Sequence, residues 1–336
     1  MRAKTTITMD DIARLAKVSK PTVSRALSNN PLVNRDTREH VLSVARKHGY
    51  TVNRNAQKLR HKRTNTIAVS LDFLSHRQNH ISDPFIFDLL AGVSEALGDC
   101  NQDLLLFAPT HNDIEAFQHI LASRGADGFI VLGQGHRERM LDEFARSGAP
   151  LVVWGAARED TPYCVVGSDN FRGGRLAAEY FLARGRRRYL FVGDASHSEI
   201  FLRRQGLMET LEASGEPLDI ADIEISNFAY ETAFEAANRY LDGAREVPDA
   251  VFTYSDTAAM AFICALANRG VHVPGDVSVV GYNDIPSAGY FNPPLTTVRQ
   301  DTYQAGKLLV DKLLAMLAGE RPSSETINTE LVERAT

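Results

Sequence analysis

Within the first 50 residues, three small polar residues stand where helices can begin, and a proline and a glycine constrain the chain around them. Thr8-x-x-Asp11 has the form of a capping box, with Asp where Glu or Gln is usual. The hydroxyl can accept an orphan backbone N–H, and the acid complements the positive helix end. Ile12, Leu15 and Ala16 then recur at helical spacing on one face. Val18-Ser19 breaks the pattern, and Ser19 can cap a second helix. Pro21 falls in that helix's first turn, where a missing N–H costs nothing. Val23, Ala26 and Leu27 form its inner stripe and leave Lys20, Pro21, Thr22 and Arg25 pointing outward. A third helix is expected from near Asn34, burying Val41, Val44 and Ala45 and stopping at Gly49. Two short helices with a tight turn, braced by a third, have the form of a helix-turn-helix. A generic three-helix bundle is the alternative, but it needs no small polar residues facing outward at 19–25.

The charge distribution agrees. The 336 residues carry 37 Lys+Arg against 42 Asp+Glu, a net charge of −5. Residues 1–65 hold 15 of the basic residues and only 4 of the acidic ones, so the remainder holds 22 and 38. A basic head on an acidic body points to a nucleic-acid surface confined to the N-terminus, with a merely solvated basic face as the alternative.

The pattern Asp11-Ile12-Ala13-x-x-Ala16-x-Val18-Ser19-x-x-Thr22-Val23-Ser24-Arg25-x-Leu27 resembles the signature of the LacI/GalR family of bacterial transcription regulators. The resemblance continues through Thr37-Arg38, Gly49-Tyr50 and Asn53 to Leu59-Arg60, and reaches Glu330-Leu331-Val332-Glu333-Arg334. It implies that the helix beginning near Ser19 enters the DNA major groove, with Lys20, Pro21 and Arg25 at base-reading positions. Arg25 can donate two hydrogen bonds to a guanine, whereas Pro21 offers apolar contact or exclusion. Thr8, Ser19, Thr22 and Asn29 are placed for phosphate contacts, which fix register without reading sequence. The resemblance further implies that residues 53–63, starting at Asn53, form a hinge whose Leu59 wedges into the minor groove. A stray apolar residue in a flexible tether is the alternative reading of Leu59. An isolated helix of that length is marginal in water, so the hinge would need its partner and the DNA to form. The implied domains are a helix-turn-helix over 7–52, the hinge, and an effector-binding and dimerisation body over 64–336.

From residue 66 the pattern changes to apolar runs alternating with amphipathic stretches. Strands are expected at 67–71, 104–107, 128–132, 151–154, 189–192, 250–253 and 277–281. Helices are expected at 86–98, 113–123, 170–184, 203–213, 230–241, 256–269 and 302–318. Repeated strand–helix–strand units predict parallel α/β sheets, and the length suggests two of them. The family resemblance implies a two-lobed body like the periplasmic binding proteins, with lobe one at about 66–166, lobe two at about 167–294, and a C-terminal segment crossing back.

Ligands of such sheets sit at the carboxyl ends of the strands. That places Asp72, Asp83 and Phe85 at a candidate effector cleft, with Trp154, Ser255, Asp256 and Asn283 at other strand ends. Arg203, three residues before Gly206, stands where the family has a ligand-gripping arginine, and Phe228 at an aromatic position that packs a ring face. Helix capping is the competing reading for Asp83 and Asp256, and core packing for Phe228. The family often has Asp where this chain has Trp154-Gly155 and Asn283, so the specificity of its known members does not transfer. Carboxylates, amides, an arginine and flat aromatics suit a polyhydroxylated ring. A nucleoside or other small effector is the alternative.

Cys100, Cys164 and Cys264 are odd in number and far apart among apolar residues, which suits reduced core thiols in a cytoplasmic protein. The sequence carries no signal peptide and no membrane-spanning run, and neither a cofactor nor a metal is expected. A dimer follows from the head's size, since one head reads only a half-site and two give a pseudopalindrome. No heptad tail argues for further assembly. The expectation is a dimeric repressor of carbohydrate uptake or catabolism genes, controlled by a small sugar-like effector. An enzyme on an α/β scaffold would need a nucleophile–base pair or metal constellation, and no such motif appears.

Overall fold

Thr8, Ser19 and Asn34 each open a helix, as their side chains allow. A computed structural model describes residues 7–28, 30–50, 63–71, 83–107, 114–215, 217–225, 227, 229–244 and 246–336. Residues 1–64 and 65–336 form two separate compact units. In the first, the Thr8 hydroxyl accepts from the Asp11 amide and Asp11 accepts from the Thr8 amide at 3.0 Å, closing the box at the start of α1 (Met9–Leu15). The Thr8 backbone bond is the largest reason that the Asp11 carboxyl lies below its ordinary range. Ser19 accepts from the Thr22 amide at 3.3 Å to start α2 (Lys20–Leu27), and Asn34 accepts from the Thr37 amide at 2.8 Å to start α3 (Arg35–Lys47). Ile12, Ala16, Val23, Ala26, Val33 and Val41 form the core between them. Leu15, expected inside, is 45% exposed, because it sits at the last position of α1, where the chain turns away through Lys17 in the left-handed region.

The second unit contains two six-stranded sheets among the described residues. Strands β1 (Thr66–Leu71), β2 (Asp103–Phe107), β3 (Gly128–Leu132), β4 (Leu151–Trp154) and β5 (Cys164–Ser168) alternate with α4 (Pro84–Asp99), α5 (Ile114–Ala122) and α6 (Glu138–Arg146). Next come α7 (Asn170–Ala183), β6 (Arg188–Val192), α8 (Ser198–Ala213), β7 (Asp219–Ile223), α9 (Tyr230–Gly243), β8 (Ala250–Thr253), α10 (Asp256–Ala267), β9 (Ser278–Asn283) and β10 (Thr296–Gln300). The chain ends with α11 (Thr302–Leu317), β11 (Glu325–Ile327) and β12 (Thr329–Val332). Sheet order is β11-β5-β4-β3-β1-β2 in the first lobe and β12-β10-β9-β8-β6-β7 in the second. Every pairing is parallel except β10 with β12.

The second sheet therefore extends past residue 294 to take in β10, and the chain crosses between lobes three times, at residues 169, 301 and 328. The first and third crossings are stitched side by side: the Asp169 amide donates to the Ile327 carbonyl at 2.9 Å and the Thr329 hydroxyl to the Asp169 carbonyl at 3.2 Å. Close helix packing depends on glycine at one conspicuous place. A Cβ on Gly174 of α7 would fall on the Arg203 carbonyl oxygen, and one on Gly206 of α8 on the Phe171 carbonyl oxygen. Only bare backbone lets these two helices approach so nearly.

Strands β5, β7, β10, β11 and β12 were not expected from the sequence, nor was α6. Strand β7 is an edge strand with exposed acidic residues, and β11 has three residues, two of them exposed, so neither gives an apolar run. Helix α8 starts five residues before the expected 203. Of the cysteines, Cys164 is buried and Cys264 half-buried, but Cys100 is exposed at the end of α4 rather than in the core. No helix among the described residues is long and apolar enough to cross a membrane.

Candidate functional site

A cavity opens at the carboxyl ends of the strands, between the two lobes. Asp83, Phe85, Leu132 and Trp154 line it from the first lobe, and His197, Glu199, Arg203, Tyr254 and Asn283 from the second. Arg203 is anchored from three directions. Its Nε donates to Asn170 Oδ1 at 2.8 Å, its NH1 donates to the Tyr254 carbonyl at 2.7 Å, and its Cζ lies 3.6 Å from the centre of the Tyr282 ring. A guanidinium held in this way presents its remaining N–H groups in a fixed direction.

Two carboxylates face that charge. Asp83 caps α4 by accepting from the Phe85 amide at 3.1 Å, and burial pushes its pKa up to about 6 although that bond and Arg203 both pull it down. Glu199, one turn before Arg203, is likewise raised by burial, against the pull of its own backbone amide, Arg203 and His197. Phe85 and Trp154 make an apolar wall, with ring centroids 6.0 Å apart at 48°. Asn283 ends β9 at φ +112, a left-handed conformation that asparagine tolerates better than most residues. Its Oδ1 accepts from Gln300 Nε2 at 2.7 Å, and Gln300 in turn accepts from the Ser168 hydroxyl beside the first crossing. At the rim the Ser198 hydroxyl donates to Glu138 Oε1 at 2.7 Å, linking α8 to α6 across the lobes, while Arg158 holds Glu138 at 2.6 Å.

In the head, Ser19, Lys20, Pro21 and Arg25 are exposed along α2 and Thr22 is half-buried. Lys20 pairs with Asp10 at 2.7 Å, an exposed contact that a phosphate can replace at little cost. The Thr8 hydroxyl donates to Asp11 at 2.8 Å, and Ser19 shares a 2.8 Å hydroxyl contact with Thr22 as well as capping α2.

Residues 8–53 match the model of the bacterial regulatory proteins, lacI family, and residues 178–336 match the periplasmic binding protein-like domain. The regulator CelR of Thermobifida fusca is 32% identical to this chain, over 97% of each. The chain belongs to the LacI family of bacterial regulatory proteins. It is a DNA-binding transcription regulator with an effector-binding domain, in a family of regulators rather than enzymes. Another relative, the probable repressor ExuR of Bacillus subtilis, is 29% identical over 98% of this chain and 97% of its own. Among solved structures, a CelR–cellobiose complex is 30% identical with a TM-score of 0.70, covering 98% of this chain and 99% of its own. A Lac repressor dimer bound to operator and an anti-inducer has a TM-score of 0.84 at 24% identity, over 98% of both chains, and shares the fold.

Within this LacI-family body, Asp83, Phe85, Trp154, Arg203 and Asn283 come together as the sequence suggests. Ser255 and Asp256 do not line the cavity. Ser255 accepts from the Ala258 amide at 3.3 Å to cap α10, and Asp256 is fully buried, accepting from the Ile285 amide at 2.8 Å and from the Thr297 hydroxyl. These bonds tie Asp256 to the loop after β9 and to β10. Asp72, Phe228, Asn29, Asn53 and Leu59 lie outside the described residues. Sequence reasoning missed His197, Glu199 and Tyr254. Placing the start of α8 at Ser198 would have put Glu199 and Arg203 on one helical face, four residues apart.

Proposed function

We propose that this protein is a homodimeric repressor of carbohydrate uptake or catabolism genes, acting in the cytoplasm and released from or fixed on its operator by a sugar-like effector in the inter-lobe cleft. The cleft carries the reading: a rigidly held guanidinium, two carboxylates and an amide line it together with an apolar aromatic wall. A sugar ring offers hydroxyls to the first set and C–H faces to the second. The solved complex of the CelR relative with cellobiose supports the same class of effector.

Two heads reading a pseudopalindrome require two chains, and the Lac repressor structure sharing this fold is a dimer on its operator. Apolar surface on the first lobe is consistent with pairing. Phe87 on α4 is 48% exposed, and Leu106 on the end strand β2 is 49% exposed. In this reading the domains are 7–52, 53–63 and 64–336. Arg25, Lys20 and Pro21 face base edges, Thr8, Ser19, Thr22 and Asn29 face phosphates, and Asn53 and Leu59 belong to the hinge. The same reading assigns Asp72 and Phe228 to the effector from their positions in the sequence alone.

The test is selection of a DNA site by the full chain, followed by anisotropy titration of that site against neutral mono- and disaccharides. At least one sugar should shift the DNA midpoint, with the shift abolished in Arg203→Gln while DNA binding persists. A site without two-fold symmetry refutes the dimer, and no response to any sugar refutes the effector class.

A further inference from the structure

The cleft holds a carboxylate that the sequence did not point to, because Glu199 stands one turn before the arginine expected to grip the ligand. An anion entering needs a positive partner with unengaged N–H groups and an unopposed charge. Arg203 meets neither condition fully. Its Nε and one NH1 hydrogen are engaged by Asn170 and Tyr254, and Tyr282 covers one face. Asp83 and Glu199 both lie within its field and within the cavity lining. The other buried guanidinium nearby, Arg137, is directed at the Ser70 hydroxyl and the Leu71 and Gly133 carbonyls and does not line the cavity. His197 lines it but lies 3.7 Å from Asp194.

We propose that Glu199, with Asp83, sets the charge selectivity of this cleft, admitting an uncharged or amino-bearing carbohydrate and turning away uronates and sugar phosphates. The inference rests on the cleft being the effector site. A neutral sugar donates its hydroxyls to the two carboxylates and accepts from the N–H groups Arg203 has left, and it adds no like charge to the cleft. A carboxylate or phosphate instead brings a like charge against Glu199 and Asp83. At separations of about 5 Å and an effective dielectric of about 20, that repulsion is on the order of a hundredfold in affinity. Both carboxyls are buried, so little water stands between them and an incoming anion to screen the repulsion.

Inorganic phosphate is a probe that needs no knowledge of the natural effector. The basic head also attracts phosphate, so the cleft's share in calorimetric titration of the full chain is the part that Arg203→Gln removes. The wild type should show no such share, and Glu199→Gln should acquire one at least about tenfold tighter, because one opposing charge has gone. Arg203-dependent phosphate binding by the wild type overturns the proposal, as does failure of Glu199→Gln to gain it. Should Glu199→Gln lower the unfolding midpoint, Asp83→Asn should show the same gain, since an amide still caps α4, and its failure to do so overturns the proposal equally. The titration and the sugar panel are independent: a wild-type cleft that binds phosphate while sugars shift the DNA midpoint refutes the charge selectivity alone.

Discussion

Replacing Asp256 by Asn distinguishes a carboxylate that holds the fold from one that binds the effector. Asp256 is fully buried, and burial lifts its pKa to about 8, helped by Asp284 and Asp83 and opposed by its bonds to Thr297 and Ile285. An acid whose pKa is higher in the folded than in the unfolded chain binds more protons when folded. Stability is then full below the unfolded value near 3.8 and is lost as pH rises toward the folded value near 8. At about 1.4 kcal/mol for each unit of pKa, the loss across that window reaches up to about 6 kcal/mol. Typical folding stabilities are about 5–15 kcal/mol, so the effect is large enough to measure. Asparagine keeps the shape without the titration, and its amide can accept from Ile285 and donate to Thr297. Urea midpoints of the wild type should fall relative to Asp256→Asn as pH rises through the window, and the effector response should be unchanged. Parallel pH profiles refute the reasoning, and a lost effector response with parallel profiles returns Asp256 to the cleft.

Gly206→Ala should cost about 1–3 kcal/mol in unfolding free energy and weaken the effector response, because a methyl there forces α8, and Arg203 with it, away from α7; an unaltered midpoint and response refute the close packing. Ser198→Ala removes the hydroxyl that reaches Glu138 across the cleft, so effector affinity should fall by about 1 kcal/mol in calorimetry if closure uses that bond. Arg25→Ala should lose about 1–3 kcal/mol on the selected DNA site and little on a scrambled one, by anisotropy; equal losses on both would make Arg25 a phosphate contact.

The elements that the sequence reveals clearly are those whose cause is local. The three helix caps of the head need only a side chain and an amide three residues away, so Thr8, Ser19 and Asn34 act as their chemistry predicts. Strands β1, β3 and β4 are buried along their whole length, and β3 and β4 show as unbroken apolar runs. Helix α8 resisted because it buries Ile200, Arg203, Gly206, Leu207 and Leu211 without a clean apolar stripe, its packing surface being partly glycine and partly an arginine stem. Asp83 and Asp256 illustrate the remaining ambiguity. Both precede or begin helices after strands, and both are buried. Only the long-range partners, Ile285 and Thr297 in one case and the cleft in the other, separate a structural acid from one facing the ligand.

The three crossings have a consequence for how such a regulator can diversify. Neither lobe is a continuous stretch of chain, because each takes its last strand from β11 or β12, one residue apart. A recombination event at residue 169 that joined the first half of one relative to the second half of another would set β11 against a foreign β5, while β12 would keep its own β10. Gene exchange can therefore swap the head, residues 1–64, or the whole body as intact units. A new operator or a new effector can each arrive in one step by such an exchange, but half a cleft cannot be exchanged without also changing the partner of β11.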